Sequence, residues 1–450
     1  MPVSNTNFPT EELNLMFTKA EKIFFIGIGG ISMSGIAQMC IALGKKVYGY
    51  DKERSATTVA LEKISKIRYY STPDNISGMD MVVYTNAIDD RCHEYRQAKR
   101  KGIPLVSRAN LLGYLISLHK NKIGICGMHG KSTTTAMLGH IFVEAGENPT
   151  IFCGAKMGNY NTNFRFGGRE CCIFEACEYQ NSFHSLPTTD AGVLNIDYDH
   201  PDFFSSIDEI QASFQHFANG AKRIFINADN EHVRHLCHPS IVTFGFDKRA
   251  QYCAVAKESP YEFDVYMGGS FLVSCTLPVA GEHHISDALC AFAIAHRHGI
   301  AASLIANALA TFVPSGRRME FIKKSDTGAD VFEDYAHHPT EIRATVSSLT
   351  QMGYKHILCI FQSHTYSRTY YLYREFCSAF ANVSQLIVYP VFSAREENIF
   401  ELTEEKFATD CGGEFISDID KIVHRVKETD CDCVVLMGAG DLPGKIKNKL

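Results

Sequence analysis

A short apolar run, a glycine-rich turn and a helix-like segment follow one another at three places along this chain. They do so in KIFFIGIGGISMSGIAQMCIALGKKVYGYD (22–51), KIGICGMHGKSTTTAMLGHIFVEAG (122–146) and CVVLMGAGDLPGKI (433–446). Each apolar run is too short for a buried helix and carries β-branched or aromatic residues, so it reads as a strand. The residues after the first two glycine turns recur at helical spacing. A strand, a tight glycine turn and a helix form the repeating unit of a parallel sheet covered by helices. The recurrences are far too widely spaced for a solenoid repeat. With 450 residues to distribute, the pattern predicts an α/β protein of three domains, at 1–115, 116–312 and 313–450.

Further strand candidates fill the intervals at 81–84, 171–175, 191–195, 223–227, 331–334, 357–361 and 386–389. Most end at a polar residue, where open α/β sheets present side chains to ligands. Between 244 and 278 the pattern changes to short alternating runs, read as an antiparallel hairpin packed beside a sheet. Apolar residues at 45% and a net charge of −6 fit a globular protein and argue against a dominant nucleic-acid or anionic-membrane surface. No apolar stretch approaches the ~18 residues needed to cross a bilayer, and the first twenty residues show no cleavable signal pattern. A cytoplasmic location is therefore expected. The sixteen cysteines are scattered without any C-x-x-C pair, which reads as buried thiols in a reducing compartment rather than a zinc site or a disulfide framework.

The most specific local signal is Gly127-Met128-His129-Gly130-Lys131-Ser132-Thr133 between a strand and a helix. Backbone N–H groups at such a turn, a lysine charge and a hydroxyl able to ligate Mg²⁺ together suit a nucleoside triphosphate. The first loop, Gly27-x-Gly29-Gly30 with Asp51 ending the next strand, resembles a dinucleotide fingerprint. Ser32 stands where its third glycine would be, which favours another diphosphate-bearing nucleotide over NAD. Polar clusters follow at strand ends: Glu175-Ala-Cys-Glu178, Asn195-Ile-Asp-Tyr-Asp199-His200, Gly316-Arg317-Arg318, Asp334 to Glu341 and Gln362 to Arg368. Carboxylates with an occasional imidazole beside a phosphate loop suit Mg²⁺.

GIGGISMSGIA, GMHGKSTTT, NIDYDH, PSGRRMEF, DYAHHPTE, FQSHTYSRT and GAGDL occur in the order and near the spacing of the Mur ligase family, which the whole chain resembles. The resemblance implies an N-terminal Rossmann-like domain for a UDP substrate, a central P-loop ATPase-like domain, and a C-terminal Rossmann-like domain binding the amino acid and part of ATP. It implies joining of L-alanine or a related amino acid to the lactyl carboxylate of UDP-N-acetylmuramate, through an acyl phosphate, in peptidoglycan precursor synthesis. The protein would be a monomer or homodimer using ATP with Mg²⁺ or Mn²⁺.

By motif position, Gly127, His129, Gly130, Lys131, Ser132 and Thr133 would cradle ATP, with Asp287 near adenine, Arg318 at phosphate and Asp334 at ribose. Ser132, Thr133, Glu175 and His200 would hold metal. Gly29, Gly30, Ile31, Ser32 and Met33 would meet the UDP diphosphate, with Asp51, Thr85 and Arg108 nearby, and His338 and Arg368 would hold the amino acid. Lys131, Glu175, His200, His338 and Arg368 form the expected catalytic set, and Lys131→Ala is expected to stop ligation with little loss of stability.

Three departures stand out. The family's H-N-x-x-N-A reads His283-His284-x-x-Asp287-Ala288, its E-A-D-E-S-D reads E-A-C-E-Y-Q, and Ser363 replaces a proline. An ionised Asp287 can only accept hydrogen bonds, which predicts weakened ATP binding. The alternatives are a divergent paralogue with another substrate, a non-catalytic nucleotide-binding regulator and, on the first glycine loop alone, an NAD-dependent oxidoreductase.

Overall fold

The computed structural model describes residues 3–394 and 396–450. Among them the strands form three sheets. The first is wholly parallel: β1 (Lys22–Ile26), β2 (Lys46–Tyr50), β3 (Lys66–Arg68), β4 (Met81–Tyr84) and β5 (Leu105–Ser107), in the order β3-β2-β1-β4-β5. The chain crosses the sheet after β3, so the glycine turn after β1 and the loop after β4 open side by side at a switch point. β4 is buried at every position, as expected for a strand covered on both faces.

The second sheet has ten strands: β6 (Asn121–Cys126), β7 (Thr150–Met157), β8 (Thr162–Arg165), β9 (Cys171–Glu175), β10 (Asp190–Val193), β11 (Arg223–Asn227), β12 (Ile241–Gly245), β13 (Tyr252–Ala256), β14 (Glu262–Met267) and β15 (Ser270–Thr276). Their order is β15-β14-β13-β12-β11-β10-β6-β9-β7-β8, which sets the phosphate-loop strand β6 between β9 and β10. Segment 244–278 differs from expectation. Instead of packing beside the sheet, it continues it: β12 pairs parallel with β13, and β14 and β15 add antiparallel strands at the edge. The antiparallel β7–β8 hairpin is absent from the sequence reading, because glycine and asparagine between 154 and 163 break its alternation.

The third sheet comprises β16 (Glu320–Lys324), β17 (Asp330–Asp334), β18 (Ile357–His364), β19 (Gln385–Phe392), β20 (Glu414–Phe415) and β21 (Cys433–Met437), in the order β16-β17-β21-β18-β19-β20. β21 is buried throughout and pairs parallel with both β17 and β18.

The first two sheets share one apolar cluster in which Phe17, Leu112 and Leu115 meet Phe183, Leu186 and Phe217. The third sheet has its own clusters, centred on Phe361 and Phe376 and on Ile360 and Ile422. Tyr198 packs against both the first of these and the cluster shared by the other sheets. The first two domains are thus joined through apolar burial. The third meets them at a polar cleft.

Candidate active site

The site starts at the end of β6. Gly127 (φ 144) and Gly130 (φ 84) adopt conformations that side-chain-bearing residues avoid, and the helix Lys131–Glu144 starts directly after them. A Cβ on Gly130 would lie 2.2 Å from Asp287 Oδ1, so only glycine allows that carboxyl group to lie against the loop. Asn195, just beyond β10, clamps the loop from the other side: its Oδ1 accepts from His129 N at 2.8 Å and its Nδ2 donates to His129 O at 3.0 Å.

Lys131 Nζ donates to Gly127 O at 2.6 Å and pairs with Glu178 Oε2 at 2.9 Å. Glu178 is almost fully buried, and His200 Nε2 lies 3.3 Å from its other oxygen. Burial alone would raise the Glu178 carboxyl, but the Lys131 charge and His200 hold it below its ordinary value. Lys131 is conversely raised, because Glu178 outweighs the cost of burial. Lys131 is therefore not a side chain whose removal leaves stability untouched, as the sequence led one to expect. It is the partner of a buried acid.

Ser132 Oγ donates to Glu175 Oε2 at 2.6 Å, and the same oxygen accepts from Gly154 N at 2.8 Å. A Cβ on Gly154 would meet that carboxylate at 2.4 Å, so glycine is what lets β7 approach it. Ser132 and Glu175 form a pair of hard oxygen donors at the start of the helix, a chemistry that fits Mg²⁺. Thr133 is buried beside them.

Three adjoining cavities share these residues. One of about 370 Å³ is lined by Gly130, Asn195, His284, Asp287, Arg318 and Asp334. A second of about 660 Å³ takes in Lys131, Ser132, Glu175, His200, Arg318 and His337. A third of about 210 Å³ joins Glu175 and Cys177 to Ile31, Ser32 and Arg108 of the first domain. Arg108 Nη1 donates to Ser32 Oγ at 3.1 Å, and Asp51 Oδ2 accepts from Gly29 N at 2.8 Å, so both support the first glycine turn. Gly30 caps the helix Ile31–Ala42 and Thr85 lies across the turn from Gly27, whereas the Met33 side chain is buried in the core with its Cβ and Cγ beside Gly30.

In the first cavity, burial keeps the His283 imidazole at about 4 and holds His284 well below its ordinary value, so both are neutral, and among the described residues neither ring nitrogen of His284 has a hydrogen-bond partner. Burial raises the Asp287 carboxyl to about 8, against smaller lowering effects from Thr134 and Arg318. The ionised Asp287 anticipated from sequence is thus corrected. At neutral pH this group keeps its proton and can donate as well as accept. Asp334 is also raised by burial, and its oxygens accept from Met319 N, Ala336 N and Thr345 Oγ1. Arg318 lies over the Tyr335 ring at 5.0 Å.

The third domain closes the site with charge. His129 lies 3.4 Å from both Asp197 Oδ2 and Glu341 Oε1. Burial opposes its protonation, but these two carboxylates raise the imidazole to about 9, so it is charged at neutral pH. Glu341 Oε2 also accepts from His337 N at 3.1 Å, and Thr340 Oγ1 donates to Asp197 at 2.6 Å. Ligand atoms of His129, Asp197 and His338 lie within 4.8 Å of one another. His129 is protonated there, and both nitrogens of His338 are engaged: Nδ1 accepts from Thr340 N at 3.2 Å and Nε2 lies 3.1 Å from Tyr198 O. The group is an ion-pair junction rather than a metal cradle.

Arg368 is buried against Asp199 and His364. His338 and Arg368 thus lie in the cleft wall, both occupied by protein partners. Glu178, Asn195, Asp197, Asp199 and Glu341 were not singled out as site residues from sequence, although all fall in the quoted strand-end clusters. Their importance comes from pairings across the chain.

Three family models match in sequence order: the Mur ligase family catalytic domain at 22–120, the Mur ligase middle domain at 125–295 and the Mur ligase glutamate ligase domain at 317–440. The chain belongs to the Mur ligase family, and it is a ligase that forms a carbon–nitrogen bond. It is 38% identical over 446 residues to the UDP-N-acetylmuramate–L-alanine ligase of Clostridium kluyveri, covering 95% of this chain and 97% of that one. It is 34% identical over 437 residues to the ligase of the same name from Aquifex aeolicus, covering 94% and 96%. Among solved structures, the UDP-N-acetylmuramate–alanine ligase of Thermotoga maritima matches with a TM-score of 0.80 and 25% identity, covering 95% of this chain and 97% of that one. The family is ATP-dependent, and the oxidoreductase reading of the first glycine loop is set aside.

Proposed function

We propose that this protein joins L-alanine to the lactyl carboxylate of UDP-N-acetylmuramate with ATP, in peptidoglycan precursor synthesis. The observation that carries this reading is the run of three adjoining cavities from Asp287 and Asp334, past Lys131 and Glu175, to Ser32 and Arg108. It offers adjoining places for a nucleoside, a phosphoryl group and a second diphosphate. Residues 1–115 receive the UDP substrate, 116–312 bind ATP, and 313–450 bind the amino acid and complete the ATP site.

A carboxylate is a poor acyl donor, and phosphorylation supplies a better leaving group before the amine attacks. Lys131 exchanges its contacts with Gly127 O and Glu178 for phosphate oxygens and so offsets the transferred charge. Ser132, Thr133, Glu175 and His200 would hold Mg²⁺, or Mn²⁺ in its place, which when bound supplies positive charge to the phosphates. Buried Asp334 orients the ribose and Arg318 reaches phosphate. Arg368 has donor capacity beyond its bonds to Asp199 and His364, and can direct it at an amino acid's carboxylate beside His338.

No helix among the described residues is long and apolar enough to cross a membrane, and the proposed substrates are water-soluble, in keeping with a cytoplasmic monomer or homodimer. The experiment is phosphate release with UDP-N-acetylmuramate, ATP and Mg²⁺ against a panel of amino acids, with the product identified by mass. Release with L-alanine and formation of the alanyl product is expected. Release with none of the panel, from protein that binds both nucleotides, overturns the reading.

A further inference from the structure

Two of the cysteines are placed differently from the rest. Cys377, in the helix Tyr373–Ala379, and Cys411, capping the helix Glu404–Asp410, bring their sulfur atoms to 3.3 Å. Among the described residues no other two cysteines make such a contact. The two helices are already pinned beside this pair: the Tyr373 ring lies 5.3 Å from Phe407 and its hydroxyl donates to Asp410 at 2.9 Å. The sulfur atoms, 3.3 Å apart, need approach by only a little over 1 Å to reach the ~2.05 Å of a disulfide bond.

Access differs between the two thiols. Cys377 is half-buried and reachable, while Cys411 is buried. Burial, the Cys377 contact and neighbouring Asp410 all raise the Cys411 thiol. Most of the other cysteines, Cys359 and Cys433 for example, are sealed inside sheets, where no reagent the size of a peptide reaches them.

We propose that Cys377 and Cys411 form a reversible dithiol–disulfide site that reacts with low-molecular-weight disulfides of the glutathione kind. Cys377 loses its proton and its thiolate attacks one sulfur of the small disulfide, forming a mixed disulfide and releasing one small thiolate, which takes up a proton. Cys411 then loses its proton and attacks the Cys377 sulfur, displacing the second small thiol. The two cysteines are oxidised by two electrons and the small disulfide is reduced to two thiols. The new link closes residues 377–411 into a covalent loop. That loop contains β19 and Glu396, whose carboxylate accepts from Ser367 N at 2.8 Å and Ser367 Oγ at 2.6 Å. It therefore restrains the segment bracing the short helix Tyr366–Tyr371, which carries Arg368. The site is independent of the ligase reading.

The test is incubation of the folded full-length protein with graded oxidised glutathione, followed by alkylation, non-reducing digestion and mass spectrometry. Exposed Cys237 serves as the internal standard. The expected result is a peptide linked through Cys377 and Cys411, lighter by two hydrogens, half-formed at equilibrium at roughly one tenth or less of the oxidised glutathione that half-loads Cys237. Dithiothreitol should reverse it, and Cys411→Ser should leave one stable glutathione on Cys377. The wild-type measurement decides alone if the variant does not fold. Persistent glutathione on Cys377 in the parent without the cross-link, or both thiols fully alkylated once Cys237 has reacted, overturns the proposal.

Discussion

Asp199 of the second domain and Arg368 of the third form a buried ion pair, with Nε 2.8 Å from Oδ1 and the two side chains 5% and 6% exposed. Asp199 lies well below the carboxylate range: burial would raise it, and the guanidinium overrides that. Removing either partner leaves an uncompensated charge in the cleft, at a cost of about 3 to 5 kcal/mol. Arg368→Ala and Asp199→Ala should each lower stability by that order in urea titrations, and the double variant by clearly less than their sum. Additive losses would show that the pair is not coupled.

Lys131→Ala should both stop turnover and destabilise the fold, contrary to the sequence-based expectation, because Glu178 loses its main counter-charge. Adding Glu178→Gln to Lys131→Ala should restore most of the stability while leaving turnover at background. Recovery of turnover in the double variant would remove Lys131 from the phosphoryl chemistry.

Asp287 makes stability depend on pH in a defined window. An unfolded Asp releases its proton near 4, while the folded group holds it to about 8. The folded state therefore binds the extra proton between those values, so stability is full below about 4 and falls as pH rises through about 8. Asp287→Asn should flatten this fall and gain roughly 2 to 4 kcal/mol relative to the parent between pH 5 and pH 8.5. ATP-analogue affinity of the two proteins should agree at pH 6.5 and diverge above pH 8. Parallel stability curves would mean that Asp287 is ionised throughout.

His129 behaves with the same sign at a higher window. Its folded value near 9 against about 6.5 unfolded means that the His129–Glu341 contact stabilises fully below about 6.5 and is lost as pH rises through about 9. Glu341→Gln should bring the imidazole titration, read by NMR, down by at least one unit and raise the KM for ATP more than it lowers kcat. An unmoved titration would detach the phosphate loop from the third domain.

Cys177→Ser should leave turnover within a few-fold of the parent. The thiol lines the cavity next to Glu175, but burial raises it to about 11, so it is not a thiolate at neutral pH. Abolished turnover with intact nucleotide binding would require a thioester route.

The glycine turns after β1 and β6 were legible in the sequence because a positive φ leaves glycine behind as its trace, and the polar ends of β9, β10, β17 and β18 because apolar runs stop there. The partners of those residues were not. Glu178 is three residues from Glu175 and reads as one more solvated acid until β9 is seen beside β6, which brings it onto Lys131. Asp287 looks ionised in sequence because nothing in one-dimensional order reports that its helix is buried almost throughout. The continuation of the second sheet through β13 was missed because a hairpin's alternation is the same whether it joins a sheet edge or packs beside one.

Among the described residues β21 is the latest strand in chain order and yet occupies the middle of the third sheet, between β17 and β18. During synthesis the earlier strands leave the ribosome with a gap between them, their inner edges unpaired until residues 433–437 have been made. The first two domains can fold as they emerge. Asp334 and Arg368, carried at or just beyond the ends of the two strands that flank the gap, reach their final separation only when that strand is inserted. The cleft is in this sense completed late in synthesis, an order set by strand topology, and a nascent chain halted before β21 would hold the nucleotide-binding loops without it.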